Sequence, residues 1–233
     1  MKCRIMITDD HELTRRGIQA MLKPFEELCI CCEAANGHEA IVKAKEHNPD
    51  LIISDIGMPV LNGVLAASRI LKDTPTRKIL MFTIAESQEI LRAALAIGIK
   101  GLVFKTDPAS DLIEAIDALR RGRTFFTRLI DDMILSGYLE DPRKKTTIKP
   151  NHLLTQRENE VIQLLAEGKS SKEIASFLGL SVKTAETHRS RIMRKLRVHS
   201  ITGVTLYAVQ HHIVEVPILP LPVQQRAAAG AMD

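Results

Sequence analysis

Short apolar runs alternate with amphipathic stretches through the first half of the chain. The runs lie at 3–7, 28–34, 51–54, 78–82 and 101–104. Each run is strand-sized, and each is followed by a stretch whose apolar residues fall three and four apart, the spacing of one helix face. Five such units predict a doubly wound α/β fold, with a five-stranded parallel sheet and helices on both faces. The expected strand order is 2-1-3-4-5.

The pattern changes after residue 121. An apolar stripe over 123–140 predicts one more helix, and the stretch 141–151, with Pro at both ends and almost nothing to bury, predicts a flexible linker. Short helices separated by Gly or polar breaks follow. The predicted regions are an α/β domain at 1–121, a linker helix and flexible linker at 122–151, a small all-α domain at 152–212 and a Pro/Ala-rich extended or disordered tail at 213–233.

The composition shows that the two predicted domains differ in charge. The chain has 233 residues, and with 3% aromatic residues and no Trp its core must be aliphatic. Residues 143–212 hold 13 Lys and Arg against 5 Asp and Glu, a formal charge of +8, while the rest holds 19 against 23, or −4. A basic second domain indicates nucleic acid as its partner. No apolar stretch is long enough to cross a membrane, and the N-terminus becomes acidic too soon for a secretory signal. We therefore expect a cytoplasmic protein without a membrane partner.

The four cysteines, Cys3, Cys29, Cys31 and Cys32, lack the paired, distant spacing of a zinc site. They lie in apolar surroundings, which predicts free buried thiols. A redox role remains an alternative, because cysteines on neighbouring strands could come close.

Polar residues follow the predicted strands where each one ends. These are Asp9 and Asp10 after the first strand, Asp55 after the third, Thr83 at the end of the fourth and Lys105 after the fifth. The carboxyl ends of parallel strands form the ligand-binding edge of an open sheet, and the first and third strands are neighbours in the predicted order. The three carboxylates should therefore converge in one shallow cleft, with Thr83 and Lys105 on its far side.

Three carboxylates this close cannot all stay ionised unless a cation holds them. Oxygen ligands suit a hard ion, Mg²⁺ or Mn²⁺. A lysine beside the site indicates an anionic ligand, and a carboxylate can accept a phosphoryl group. The metal and Lys105 would neutralise its oxygens, and Thr83 would hydrogen-bond one of them. The alternative is that these residues are only solvated polar groups at strand ends. That interpretation suits any one of them alone better than all five together.

Residues 1–121 resemble the receiver domain of two-component response regulators, which has a flavodoxin-like fold. The resemblance rests on TDD after the first strand, SDIGMP at the third, FT at the fourth and FKTDP at the fifth. It implies that Asp55 is the phosphoacceptor. It also implies that Asp10, Asp55 and the backbone carbonyl of Gly57 bind Mg²⁺, with Asp9 acting through water.

The same resemblance assigns the far side of the cleft. Thr83 would be the switch hydroxyl, and Lys105 would pair with the phosphoryl group. The family's usual switch aromatic, three residues before the lysine, is Leu102 here. Because a leucine cannot make the buried-to-exposed flip of an aromatic ring, the output step is expected to differ. Gly57 and Ala85 lie where side chains influence dephosphorylation in the family, and neither offers a polar group.

The second domain carries the sequence signals of successive helices. Thr155 and Glu158 form a capping box, Gly168 ends the first helix, and Gly179 begins a turn before the third. One face of the third helix should pack inward and comprises Ala185, His188, Ile192 and Leu196. The opposite face is polar and rich in cations. Two helices joined by a Gly-containing turn, with the second one basic and outward, form a helix-turn-helix, whose second helix enters the major groove.

Residues 153–212 resemble the LuxR-type (NarL/FixJ class) DNA-binding domain nearly throughout. Ala185 and Ile201 depart from the family pattern in ways that suit packing or phosphate-contact variants. The best candidates for phosphate contacts, which position the protein without specifying sequence, are Lys183, Thr184, Arg191, Arg194 and Lys195. By resemblance, the candidates for base edges are Glu186, Thr187 and Ser190. His188 is expected to pack rather than contact bases, and the last helix often forms the dimer contact in the family.

These observations predict a phosphorylation-controlled, DNA-binding transcriptional regulator. A cognate sensor histidine kinase or a small phosphodonor would phosphorylate Asp55, and a homodimer would bind paired half-sites in double-stranded promoter DNA. The receiver would promote only its own phosphorylation and dephosphorylation, so the protein is not expected to be an enzyme. A Mg²⁺-dependent phosphatase would need a second acid where Gly57 stands. The nearer alternative is a phosphorylation-independent DNA-binding regulator whose receiver serves dimerisation or another ligand, which Leu102 leaves open.

Overall fold

The computed structural model describes residues 2–84, 88–127, 154–211 and 213–214. The strands are β1 (Cys3–Thr8), β2 (Leu28–Ala34), β3 (Leu51–Ser54), β4 (Lys78–Thr83), β5 (Gly101–Phe104) and β6 (Phe125–Phe126). The helices that alternate with them are α1 (Glu12–Leu22), α2 (Gly37–His47), α3 (Gly63–Asp73), α4 (Gln88–Ala96) and α5 (Ala109–Arg120). The helices of the second domain are α6 (Gln156–Ala166), α7 (Ser171–Leu178), α8 (Val182–Leu196) and α9 (Ile201–Gln210).

The sheet is parallel throughout, with the order β2-β1-β3-β4-β5-β6. The doubly wound class and the order of the first five strands are confirmed. The strand count was wrong by one, because β6 adds to the edge by pairing Phe125 with Gly101 and Phe126 with Leu102. Those two phenylalanines fall inside the helix predicted over 123–140, so that prediction was wrong at its start. The rest of that helix and the whole of the flexible linker predicted at 141–151 lie outside the described residues.

Each face of the sheet has its own aliphatic core, which explains why the strands are almost continuously apolar. Met6, Ile52 and Met81 face α2, α3 and α4. Ile5 and Ile53 face the other way, toward α1 and α5. β1 and β3 pair in parallel with Thr8 opposite Ser54, so the chain that follows each strand emerges at the same edge of the sheet.

Helix caps fix where the elements of the second domain begin. The capping box predicted at Thr155 and Glu158 is confirmed, and Ser170 with Glu173 forms another at the start of α7. Gly179 caps α7 in the left-handed conformation, at φ +62°, and so makes the tight turn into α8. The four helices enclose one apolar core, on which Ile213 and Val214 at the start of the predicted tail also pack.

The sulfur atoms of the four cysteines form no disulfide, and each cysteine is half-buried rather than fully buried. Cys31 Sγ and Cys32 Sγ lie 3.8 Å apart. Burial, assisted by the neighbouring Cys31, raises the pKa of Cys32 to about 12. No helix among the described residues is both long and apolar enough to cross a membrane.

Candidate functional site

The carboxyl ends of β1 and β3 bring the three predicted acids together. Ligand atoms from Asp9, Asp10 and Asp55 and from the unpredicted His11 all lie within 4.8 Å of one another. Asp9 and Asp55 are buried, whereas the Asp10 side chain is 29% exposed. The cluster is therefore open on the Asp10 side, where a ligand can enter from solvent.

Lys105 reaches across the cleft rather than staying on its far side. Its Nζ lies 2.7 Å from Oδ2 of Asp55 and 2.7 Å from Oδ2 of Asp9. Its backbone N–H donates to the carbonyl of Thr83 over 2.8 Å, so the ends of β4 and β5 are tied together. Thr83 itself is fully buried. The lysine therefore already occupies the place between the two buried carboxylates.

Burial and charge act in opposite directions on these groups. Burial raises the pKa of Asp9, although Lys105 and the N–H of His11 offset part of that rise. Burial alone would lower the pKa of Lys105, but the charges and hydrogen bonds of Asp55 and Asp9 outweigh it, and the net pKa is raised. Lys105 is therefore protonated, and its positive charge stabilises the buried carboxylates of Asp9 and Asp55.

The donor set fits a hard divalent cation. Three of its four ligand atoms are carboxylate oxygens, which Mg²⁺ and Mn²⁺ prefer, and the fourth is a nitrogen of His11. Oδ1 of Asp10 is buried and accepts no hydrogen bond among the described residues; Nδ1 of His11, 2.9 Å away, approaches it outside hydrogen-bond geometry. A buried carboxylate oxygen without a donor is the observation that a bound cation would explain. His11 could have been noticed as a potential ligand because it directly follows the two acids.

Arg15 supports the loop that carries these acids, and sequence reasoning missed it. Its Nη1 donates to the carbonyl of Asp9 over 2.8 Å, and its Nε donates to Glu33 over 2.9 Å. The guanidinium therefore joins α1 and β2 to the end of β1. No spacing in the sequence relates Arg15 to Glu33, because only the β1–β2 pairing brings them together.

The loop after β3 folds back over Asp55. The N–H of Ile56 donates to Oδ1 of Asp55 over 2.7 Å, and the N–H of Gly63 donates to the carbonyl of Ile56 over 2.9 Å. A side chain at Gly63 would overlap the carbonyl of Asp55, so only glycine permits this approach. Gly57, the predicted carbonyl ligand, lies half-buried in this loop.

Leu102 is fully buried, in the same core as Phe104. Its side chain therefore packs inside the sheet face that α4 covers. Ala85, the second atypical position, lies outside the described residues.

The predicted DNA-contact residues form one exposed surface on α8. All eight are exposed: Lys183, Thr184, Glu186, Thr187, Ser190, Arg191, Arg194 and Lys195. The inward face matches the prediction, with Ala185 and Ile192 buried in the helical core. His188 is half-buried and its Nδ1 is buried, in keeping with the packing role expected of it.

Three of the eight α8 residues have side-chain partners within the domain. The hydroxyl of Thr187 donates to the carbonyl of Lys183 over 2.8 Å. The hydroxyls of Thr184 and the N-cap Ser181 lie 2.8 Å apart, so Thr184 also helps to start the helix. Nζ of Lys195 lies 2.7 Å from Glu158 of α6. Burial would raise the pKa of Glu158, but Lys195 and the N–H and hydroxyl of Thr155 outweigh it, and the pKa is lowered. Lys195 must therefore share its charge between Glu158 and any phosphate.

Two protein-family models match the chain. The response regulator receiver domain matches residues 5–117, and the bacterial regulatory proteins of the luxR family match residues 152–208. Among characterised proteins, the response regulator protein VraR of Staphylococcus aureus is 36% identical over 216 residues, which is 92% of this chain and all of the relative.

Solved structures of response regulators also match the chain. A two-component response regulator of the LuxR family from an Aurantimonas species is 28% identical, with a TM-score of 0.57, over 60% of this chain and 100% of that one. RcsB of Salmonella enterica serovar Typhimurium, bound to promoter rprA in the presence of the phosphomimetic BeF3⁻, is 25% identical, with a TM-score of 0.54, over 89% of this chain and 98% of that one.

Proposed function

Because the chain belongs to the response regulators that join a receiver domain to a LuxR-type DNA-binding domain, we propose that Asp55 is the residue that accepts the phosphoryl group. The observation that carries this assignment is the position of its carboxylate. Oδ2 of Asp55 lies 2.7 Å from Nζ of Lys105, in a cleft that holds two further acids and opens to solvent beside Asp10.

The reaction is a displacement at phosphorus. A carboxylate oxygen of Asp55 attacks the phosphorus of a phosphohistidine or an acyl phosphate, the bond to the donor atom breaks, and the donor leaves with that electron pair. Lys105 lies where it can neutralise the oxygens of the incoming group, and the Thr83 hydroxyl would hydrogen-bond one of them once transfer is complete. A sensor histidine kinase is the expected macromolecular donor.

Mg²⁺ is the proposed cofactor. Asp10 and Asp55 would hold it together with the backbone carbonyl of Gly57, and Asp9 would act through water. Bound there, the ion would neutralise negative charge on the transferring phosphoryl group. The assignment is supported by the buried Oδ1 of Asp10, which accepts no hydrogen bond among the described residues, and by the three converging carboxylates.

The output is binding to promoter DNA. The exposed face of α8 would enter the major groove, with its cationic residues on phosphates and Glu186, Thr187 and Ser190 at base edges. A homodimer would place two such helices on paired half-sites, with α9 as the candidate contact. DNA as the partner implies that the protein acts in the cytoplasm.

The test is the intact mass of the protein after incubation with acetyl phosphate and Mg²⁺. Wild type should gain one phosphoryl group, and a chelator should abolish the gain. Asp55→Asn should gain none, whereas the matched control Asp117→Asn, a change at a half-exposed position on α5, should behave as wild type.

The same samples test the alternative that the protein regulates its promoter without phosphorylation. The buried Leu102, which replaces the family's switch aromatic, motivates this alternative. Under the proposed function, phosphorylation changes the affinity of wild type for promoter DNA and leaves that of Asp55→Asn unchanged. If both proteins bound and regulated the promoter alike, phosphorylation control would be excluded.

A further inference from the structure

Two consecutive cysteines on β2 have their thiol groups side by side. Consecutive residues of a regular strand point to opposite faces of the sheet, which keeps their side chains apart. The sulfur atoms of Cys31 and Cys32 nevertheless lie 3.8 Å apart. An irregularity of the strand must therefore bring both side chains to the same face.

The irregularity is a β-bulge at Cys31. Ile5 of β1 pairs with Ile30, but Met6, the next residue of β1, pairs with Cys32, so Cys31 is an extra residue in β2. The extra residue cancels the alternation of faces at this point. Cys32 packs against the core that contains Met6, and the sulfur of Cys31 lies beside it. The backbone of β2 thus produces the pair of thiols.

Both thiols are held in place and can be reached from solvent. Sγ of Cys31 donates to the carbonyl of Ile5 over 3.4 Å, which orients that thiol. Each of the two cysteines is half-buried, and β2 is the outermost strand on its side of the described sheet. A ligand can therefore approach the pair without opening the core.

The two groups react as neutral thiols. Burial and the neighbouring Cys31 raise the pKa of Cys32 to about 12. Because the thiolate is the form that attacks peroxides, disulfides and alkylating reagents, such reagents should react slowly with Cys32 at neutral pH. The redox role that the sequence left open is therefore a poor match for this pair. A ligand that displaces both thiol protons as it binds is a better match.

The number of sulfur atoms decides which thiophilic ligand the pair can hold. A structural Zn²⁺ takes four protein ligands, whereas the described residues bring no third His, Cys, Asp or Glu ligand close to these two cysteines. A linear ion such as Cu⁺ would hold its two sulfurs about 4.6 Å apart, at twice a bond of the zinc–sulfur length. Trivalent arsenic and antimony form bent bonds to two thiols and keep their third substituent, so two sulfurs at 3.8 Å suit them.

We propose that Cys31 and Cys32 form a dithiol site for trivalent arsenic or antimony compounds. With an organic arsine oxide, each sulfur forms one bond to arsenic and both bonds between arsenic and oxygen break. The oxygen leaves as water with the two thiol protons. Neither arsenic nor sulfur changes its oxidation state, so the step needs no oxidant or reductant. The site is separate from the acid cluster and does not depend on the proposed role of Asp55.

The probe is phenylarsine oxide, added to the reduced full-length chain and followed by intact mass. Wild type should gain one phenylarsenic group, and after proteolysis the fragment that carries it should contain both Cys31 and Cys32. Ethanedithiol should remove the group, whereas an equal concentration of thiol groups from a monothiol should not. The reason is that each sulfur of a chelate holds the other at a high effective concentration.

Variants with one thiol of the pair measure the contribution of the second sulfur. In Cys31→Ser and in Cys32→Ser, the apparent affinity for phenylarsine oxide should fall roughly a hundred-fold. The matched controls Cys3→Ser and Cys29→Ser remove the other half-buried thiols and should bind as wild type does. Thermal unfolding checks that each variant is folded. The location of the adduct in wild type tests the site without any substitution.

Three results would overturn the proposal. They are the absence of an adduct on wild type, an adduct that bridges other cysteines such as Cys3 and Cys29, and removal of the adduct by a monothiol as readily as by ethanedithiol. Asp55→Asn should bind phenylarsine oxide as wild type does. A failure of the phosphorylation chemistry would therefore leave this test unaffected.

Discussion

Nζ of Lys105 lies 2.7 Å from Oδ2 of Asp55, in direct contact with the carboxylate that we propose as phosphoacceptor. The same ammonium group is 2.7 Å from Asp9. Without a metal ion, the lysine is thus the counter-charge of the cluster. A divalent cation must compete with it for the oxygens of Asp9 and Asp55.

Replacing this lysine should strengthen metal binding. In Lys105→Met the competing cation is gone and the acids carry more uncompensated negative charge, so the dissociation constant for Mg²⁺ should fall by roughly three- to ten-fold. Titration with Mg²⁺, followed by calorimetry, measures it. Lys100→Met, an exposed change just before β5, is the control. Weaker binding in Lys105→Met would mean that the lysine organises the acids for the ion instead of competing with it.

The Asp10 carboxylate should destabilise the metal-free protein and stabilise the metal-bound protein. Relief of repulsion among the acids should make Asp10→Asn more stable than wild type in a chelator, by on the order of 1 kcal/mol. With Mg²⁺ at a hundred times its dissociation constant, wild type should gain about 2.7 kcal/mol, and Asp10→Asn much less. Thermal unfolding with and without Mg²⁺ measures both effects. Glu12→Gln, an exposed neighbour, should follow wild type, and an equal gain in Asp10→Asn would exclude Asp10 as a ligand.

The sequence was sufficient for this cluster because topology alone brings its members together. Apolar runs give the strands, the order of a doubly wound sheet makes β1 and β3 neighbours, and the residues after them must meet. The same logic covers the two faces of α8, since Ala185 and Ile192 recur at helical spacing. Periodicity, however, fixes only which face of an element is buried.

Contacts between distant segments have no such signal. Arg15 meets Glu33, and Gln163 meets Met58, through side chains whose partners no spacing identifies. The strand at Phe125–Phe126 is too short for any period to show, and the apolar stripe that continued beyond it favoured a helix. The positive φ of Val60 was equally unpredictable, because a valine is among the last residues expected there.

The ion pair of Glu158 with Lys195 gives the DNA-binding domain a pH-dependent stability. Because the folded-state pKa of Glu158 is lowered from 4.5, its contribution is fully present above that value and is lost as the pH falls through the lower folded-state pKa. The carboxyl chemical shift of Glu158 should therefore titrate below pH 4.5. Glu158→Gln should destabilise the domain at pH 7 but not after the wild-type carboxyl has been protonated. A titration above pH 4.5 would contradict the lowered pKa.

The same ion pair predicts that neighbouring cations of α8 contribute unequally to DNA binding. Arg194 and Lys195 are both exposed, but Lys195 is held 2.7 Å from Glu158 and must leave it, or share its charge, to contact a phosphate. On duplex DNA, Arg194→Ala should reduce the slope of log affinity against log salt by about 1. Lys195→Ala should reduce it by clearly less.

Glu158→Gln provides the control for this comparison, because it frees Lys195 without touching α8. In that background, Lys195→Ala should reduce the salt slope as much as Arg194→Ala does. Fluorescence anisotropy with a labelled duplex, repeated at several salt concentrations, measures the slopes. If Lys195→Ala reduced the salt slope as much as Arg194→Ala does while Glu158 is present, the ion pair with Glu158 would not weaken the contact of Lys195 with DNA. If neither Lys195→Ala nor Arg194→Ala changed the salt slope, the phosphate contacts would lie outside this part of α8.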